Sequence, residues 1–284
     1  MPDHIQRFIF DDADIRGELV QLEQSYQTTL SKHHYPAPVA RLLGDFLSAA
    51  ALLSQTIKFD GCLILQARSE GEVPLIMAEA TSQGHVRGIA KEADAAVSED
   101  FQTLLKNGQL SITIDPAKGQ RYQGIVPLDG RNLAACLEHY FAQSEQLSTH
   151  IILAADGSKS AGMLLQELPV SAAHGAQDRS QQWQHVTQLA NTLKPQELLN
   201  LDFNTLLHRL YHQEQVRVFD PSTLKFQCSC SEQRTEKAIY ALGRSESEAL
   251  IAEAGEIAIR CEFCHHDYRF GSKDLSRIFK TPLH

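Results

Sequence analysis

The chain has 284 residues, 43% of them hydrophobic and 21% charged, the proportions of a chain that buries a core rather than one that stays disordered. Its formal net charge is −9, and no segment is basic: residues 1–172 hold 13 Lys and Arg against 21 Asp and Glu, 173–227 hold 5 of each, and 228–284 hold 8 against 9. That balance argues against a phosphate-tracking nucleic-acid surface and against docking on an anionic membrane.

The first residues, MPDHIQRFIF, lack a basic region followed by a hydrophobic one, so no signal peptide is expected. The best apolar run, Leu47 to Leu53, falls short of the roughly 18–20 residues that span a bilayer. A cytoplasmic location, where thiols stay reduced, is the expectation.

Residues 5–10 read as a strand. From Pro36 and Pro38 a helix is expected over 36–58, with Val39, Leu42, Leu43, Phe46, Leu47, Ala50 and Leu53 at helical spacing and proline tolerated at its start. Strands are expected at 61–68, 73–80, 84–91, 109–115 and 121–128, punctuated by Gly71, Gly84, Gly108, Gly119 and Gly130. A helix over 131–146, with Leu133, Cys136, Leu137 and Tyr140 on one face, precedes a strand at 149–155. Adjacent strands flanked by helices predict an α+β domain built on antiparallel sheet, residues 1–172.

The polar, glutamine-rich stretch 172–184 marks a boundary. Helical patterns follow at 185–199 and 203–213, with balanced charge and modest apolar stripes. Segment 173–227 therefore reads as a helical linker that docks on a neighbour and opens at little cost. Beyond it, 217–227 leads through Asp220-Pro221 into a cysteine pair. Short helices are expected at 232–242 and 245–253, strands at 256–260 and 268–270, and a last helix over 273–280 with Ser272 as its N-cap.

Six cysteines are present. Cys62 in a strand and Cys136 on a helical face read as buried small hydrophobes. The other four form Cys228-Ser-Cys230 and Cys261-Glu-Phe-Cys264 in the stretch 228–284. Two close thiolate pairs suit one tetrahedral zinc. The gap between them exceeds the usual ribbon spacing of about 15–20 residues, so the intervening helices belong to the module. His265 and His266 follow directly, but four thiolates already fill a tetrahedron. The zinc would either fold the module or hold thiolates ready for an oxidant. Four cysteines allow three disulfide pairings, and proximity favours Cys228 with Cys230 and Cys261 with Cys264.

At these residues the sequence resembles the heat shock protein 33 family of bacterial redox-regulated chaperones. The resemblance rests on FQCSCSEQR, Leu242-Gly243 and GEIAIRCEFCHHDYRF, and upstream on DGRNLAACLEHYFAQSEQL, AGMLLQELP and LLHRLYHQEQVRVFDP, in family order and spacing. It covers essentially the whole chain. It implies that reduced Cys228, Cys230, Cys261 and Cys264 hold one zinc while the chaperone is inactive. Oxidant together with heat would drive the disulfides Cys228–Cys230 and Cys261–Cys264. Zinc would leave, and the C-terminal zinc module (228–284) and linker would unfold. The protein would dimerise and hold unfolding clients without ATP, and ATP-driven foldases would later take them over.

Two other readings differ in class. A zinc-module nucleic-acid binder conflicts with the acidic body. A thiol–disulfide oxidoreductase would open a helix with its C-x-x-C after a strand, whereas Cys261-Glu-Phe-Cys264 sits between strand-like runs. No G-x-S-x-G, G-x-x-x-x-G-K-[ST] or G-x-G-x-x-G occurs, so no enzyme class has positive support.

Overall fold

In the structure, a computed structural model that describes residues 3–56, 60–169 and 176–280, the chain divides into two units, Met1–Gln227 and Cys228–His284. The first unit opens with β1 (His4–Phe10), β2 (Ile15–Leu22), α1 (Gln24–Leu30) and α2 (Ala37–Thr56). It continues with β3 (Gly61–Arg68), β4 (Leu75–Thr81), β5 (His85–Lys91), α3 (Phe101–Leu104), β6 (Gln109–Pro116) and β7 (Tyr122–Pro127). Next come α4 (Leu133–Tyr140), a π-turn at Phe141–Glu145, β8 (Thr149–Ala155) and β9 (Ser160–Glu167). It closes with α5 (Ala176–Ala190), α6 (Pro195–Asn200), α7 (Phe203–Tyr211) and the short strands β10 (Val216–Val218), β11 (Ser222–Thr223) and β12 (Lys225–Phe226).

These strands make two six-stranded sheets. One has the order β10-β1-β2-β9-β8, with β11 also on β1; the other runs β12-β5-β4-β3-β6-β7. All pairs are antiparallel except β12 on β5. The expected α+β class and antiparallel sheet are what the chain forms.

Helix α2 lies among both sheets. Phe46, Leu47, Leu52 and Leu53 share one apolar core with Val20 and Leu164 of the first sheet and Leu63, Leu65 and Ile112 of the second. Each such side chain contributes about 1.5–3 kcal/mol on full burial. Gly44 lets the helix approach closely, since a Cβ there would stand 2.6 Å from that of Ala155. Ser160 Oγ then donates to Gly44 O at 2.6 Å. By length and apolarity α2 would serve as a membrane span, which corrects the expectation that no stretch reaches that length; 83% of its apolar window is buried inside the protein. The strict apolar run looked short because the charged Asp45 breaks it, while Gly44 and Ser48 within the helix are packing contacts.

The other face of the first sheet is covered by α5, α6 and α7. Val186, Leu198, Leu206, Leu207 and Leu210 bury against Phe8, Phe10, Leu19, Met163 and Leu165. The linker helices thus own more buried apolar surface than their sequence suggests. The expected helix over 185–199 is two helices. The chain leaves α5 at Ala190, and Pro195 opens α6, because proline lacks the N–H needed to continue a helix. The polar stretch at 176–184 is the first part of α5; the expected boundary at 172 lies outside the described residues. Strand β9 was not expected as a strand. Every residue from Ser160 to Gln166 is buried, so the period-2 signal of a half-exposed strand is missing.

The second unit contains α8 (Glu232–Leu242), α9 (Arg244–Ala254), β13 (Ile257–Arg260), β14 (Asp267–Phe270) and α10 (Ser272–Ile278). The last helix starts one residue earlier than expected. Gly271 stands at the N-cap, where its N–H donates to Asp274 Oδ2 at 2.9 Å. Its fully buried apolar core is small, namely Ile239, Ile257, Phe270, Leu275 and Ile278. A core of that size rarely holds so short a unit folded without a staple.

Candidate metal centre

The four clustered cysteines come from two local devices. Cys228 and Cys230 lie just ahead of α8, whose N-cap Ser231 accepts from Arg234 N at 3.2 Å. The Arg234 guanidinium also donates to Ser229 O and Oγ at 3.1 and 2.7 Å. It therefore fixes the Cys-Ser-Cys loop and brings positive charge to it. Helix N-termini and cations both favour thiolate over thiol.

Cys261 and Cys264 sit in the connection of the β13–β14 hairpin. The turn is closed by His265 N on Cys261 O at 2.7 Å and Cys261 N on His266 O at 2.9 Å. His265 holds φ at 62°, a left-handed conformation that reverses the chain and carries Cys264 back toward Cys261.

The result is one cluster. All four Sγ atoms lie within 4.8 Å of one another, and each cysteine is half-buried. Cys228 Sγ is 3.6 Å from Cys261 Sγ, and Cys230 Sγ is 3.4 Å from Cys264 Sγ. A tetrahedral metal with metal–sulfur bonds of about 2.3 Å needs sulfurs about 3.8 Å apart, so the donor set fits a metal ion. As thiols, Cys261 and Cys264 resist ionisation: burial, ahead of the neighbouring sulfurs, pushes Cys264 up to about 12 and raises Cys261. A bound cation would reverse that preference and hold thiolates.

Sequence reading missed Tyr268. Its hydroxyl donates to Cys230 Sγ at 3.2 Å, and this bond more than burial holds the phenol up to about 12. The β13–β14 register, Ile259 opposite Tyr268, places it beside the hairpin turn. Neither His265 nor His266 joins the sulfur cluster. Elsewhere, Cys136 is buried and accepts from Gly130 N at 3.3 Å, whereas Cys62 is only half-buried, which corrects the expectation of full burial. Its strand exposes part of that face.

A family model described as Hsp33 protein matches residues 3–271. The chain belongs to the Hsp33 family. A protein named 33 kDa chaperonin from Ectopseudomonas mendocina is 52% identical to this family member over 98% of this chain and 96% of its own. Another of that name, from Pseudomonas aeruginosa, is 51% identical over 98% and 94%. A crystal structure of a 33 kDa chaperonin from Thermotoga maritima matches with a TM-score of 0.83, covering 98% of each chain at 19% identity; at that identity the likeness concerns the fold. Membership of the Hsp33 family, with four cysteines placed to bind a metal, supports a chaperone with a metal-binding, redox-related site. The relatives' printed name is that of a chaperonin, not an enzyme.

Proposed function

We propose that this chain is a redox-regulated, ATP-independent holdase. The carrying observation is a cluster of four sulfurs within 4.8 Å in a member of the Hsp33 family. Cys228, Cys230, Cys261 and Cys264 hold one zinc in the reduced, inactive protein. Zinc there keeps the sulfurs as thiolates and ties the Cys-Ser-Cys loop to the hairpin turn.

Under peroxide, each of the thiolate pairs Cys228–Cys230 and Cys261–Cys264 gives up two electrons to form one S–S bond, and one peroxide takes those electrons together with two protons from the solvent and becomes two waters. Disulfide sulfurs no longer serve as thiolate ligands. Structural zinc contributes about 10–16 kcal/mol of apparent binding free energy in small peptides, so the five-residue core of the C-terminal module, residues 228–284, unfolds.

Gln227, the residue before Cys228, donates from its N–H to Val86 O, so disorder enters the linker, residues 173–227, through edge strands β12, β11 and β10. Release of α5, α6 and α7 uncovers Phe8, Phe10, Leu19, Met163 and Leu165 on the sheet of the chaperone core, residues 1–172. Apolar surface of that kind binds unfolding chains. The oxidised protein works as a homodimer in the cytoplasm, binds clients without turning anything over, and passes them to ATP-dependent foldases.

Light scattering from a heat-unfolding client tests this reading. Suppression by the peroxide-oxidised protein and not by the reduced, zinc-loaded protein is the expected result. Equal suppression by both forms, or none by either, would leave the zinc a structural staple and remove the switch.

A further inference from the structure

At the C-terminal end of α2, within Met1–Gln227, a cavity of about 340 Å³ is lined by residues of α2 and of both sheets. Its volume falls in the range of small-molecule sites, about 300–1,000 Å³. Leu53, Leu63, Ile112, Ile114 and Leu147 line it. Its polar groups gather around two charged residues, Arg16 and Glu145, and they are unequally served.

Arg16 on β2 stands opposite Gln166 on β9. Its Nη2 donates to Gln166 Oε1 at 2.5 Å and to Thr56 O at 3.0 Å. Gln166 is itself fixed by donating to Thr149 Oγ1 at 2.9 Å. The guanidinium is therefore aimed, but its Nε is buried without a partner. Among the described residues it forms no ion pair with a carboxylate. Glu18, two residues along the same strand face, carries only part of its charge at neutral pH, because burial pushes its carboxyl up to about 7. An arginine stays charged, and a charge facing apolar walls is costly until something of opposite sign pairs with it.

The other polar end is already satisfied. Glu145 Oε1 accepts from the Tyr122 hydroxyl at 3.0 Å and from the Tyr140 hydroxyl at 2.9 Å. Glu145 closes the π-turn Phe141–Glu145, a helix irregularity found often at functional sites. What the cavity lacks is an anion on Arg16, not a cation on Glu145.

We propose that this cavity is a binding site for a small amphipathic carboxylate, with its carboxylate on Arg16 and its hydrocarbon body against Leu53, Leu63, Ile112 and Ile114. The site is separate from the sulfur cluster and does not depend on the redox reading.

The test titrates reduced, metal-loaded full-length protein with octanoate, octanol and octylammonium, and follows the isoleucine and leucine methyl resonances. Octanoate should shift Leu53, Leu63, Ile112 and Ile114 saturably, at least about tenfold more tightly than octanol, the worth of one charge-assisted contact. Arg16→Gln should remove that preference and leave octanol binding unchanged. Arg16→Lys, which keeps the charge and loses the fork, should fall between and shows whether Arg16→Gln acts through charge rather than misfolding. No saturable shift at these methyls, equal binding of octanol and octanoate, or unchanged octanoate affinity in Arg16→Gln would overturn the assignment. Tightest binding by octylammonium would make Glu145 the anchor and overturn it as well.

Discussion

The Tyr268 hydroxyl donates to Cys230 Sγ across 3.2 Å, linking strand β14 to the Cys-Ser-Cys loop. A hydrogen bond to a ligating sulfur orients it and draws off part of its negative charge, and outer partners of this kind typically carry about 10–100-fold in metal affinity. Tyr268→Phe removes the donor while keeping the ring, which packs beside the small apolar core of its unit. The variant should bind zinc about tenfold more weakly and release it faster under peroxide, as read with a chromogenic chelator. Release kinetics equal to those of the unaltered protein would show that the bond does not tune Cys230.

Metal removal should be selective. The second unit's buried apolar core holds five residues, whereas α2 and its two sheets have a far larger one. Chelation of the reduced protein should abolish amide-exchange protection in α8, α9 and α10 and leave β3 and β4 protected. Protection that survives in the three helices would mean that the metal is not what folds this unit.

Leu206 is fully buried on α7 against the first sheet. Leu206→Ala leaves a cavity there, at a cost of about 2–5 kcal/mol. Exchange should speed first in α5, α6 and α7, and the reduced protein should begin to suppress client aggregation. A globally uniform loss of protection, with no holdase activity in the reduced form, would contradict a separately opening linker.

Glu18 gives the first unit a pH dependence. Its carboxyl is 1% exposed. Burial raises it from an ordinary 4.5 to about 7, against the opposing charges of Arg7 and Arg16. The folded state therefore holds the proton more tightly than the unfolded chain. The stability this confers is complete below about pH 4.5 and is lost as pH rises through about 7, with a size of about 3 kcal/mol. Glu18→Gln mimics the protonated form, so its advantage over the unaltered protein should grow between pH 5 and pH 8 in urea titrations. A constant difference across that range would rule out Glu18 as the titrating group.

Much of the second sheet was legible because its strands alternate. In β3, Leu63, Leu65 and Ala67 are buried while their neighbours are at least partly exposed, and the expected span 61–68 is the observed one. β2 and β9 escaped the same reading because helices cover both faces of their sheet. The first part of α5, residues 176–184, escaped because that stretch is polar; the part read as helix from 185 on carries the packing positions Val186 and Ala190. The candidate metal centre was legible only through its four cysteines. Tyr268 and Arg234 carry no spacing signal, and only the hairpin register and the cap of α8 bring them to the sulfurs.

The sequence by itself determined the four clustered cysteines, the apolar stripe of α2, the antiparallel class and the family resemblance, because each is written in residues close together along the chain. Tertiary structure alone decided that β10 pairs with β1 while β12 joins the other sheet. It also decided that Arg16 lines a cavity shared with Glu145 yet forms no ion pair with a carboxylate among the described residues. Those outcomes depend on which distant surfaces share the same buried space. Burial on both faces erases the local pattern from which such pairing would otherwise be read.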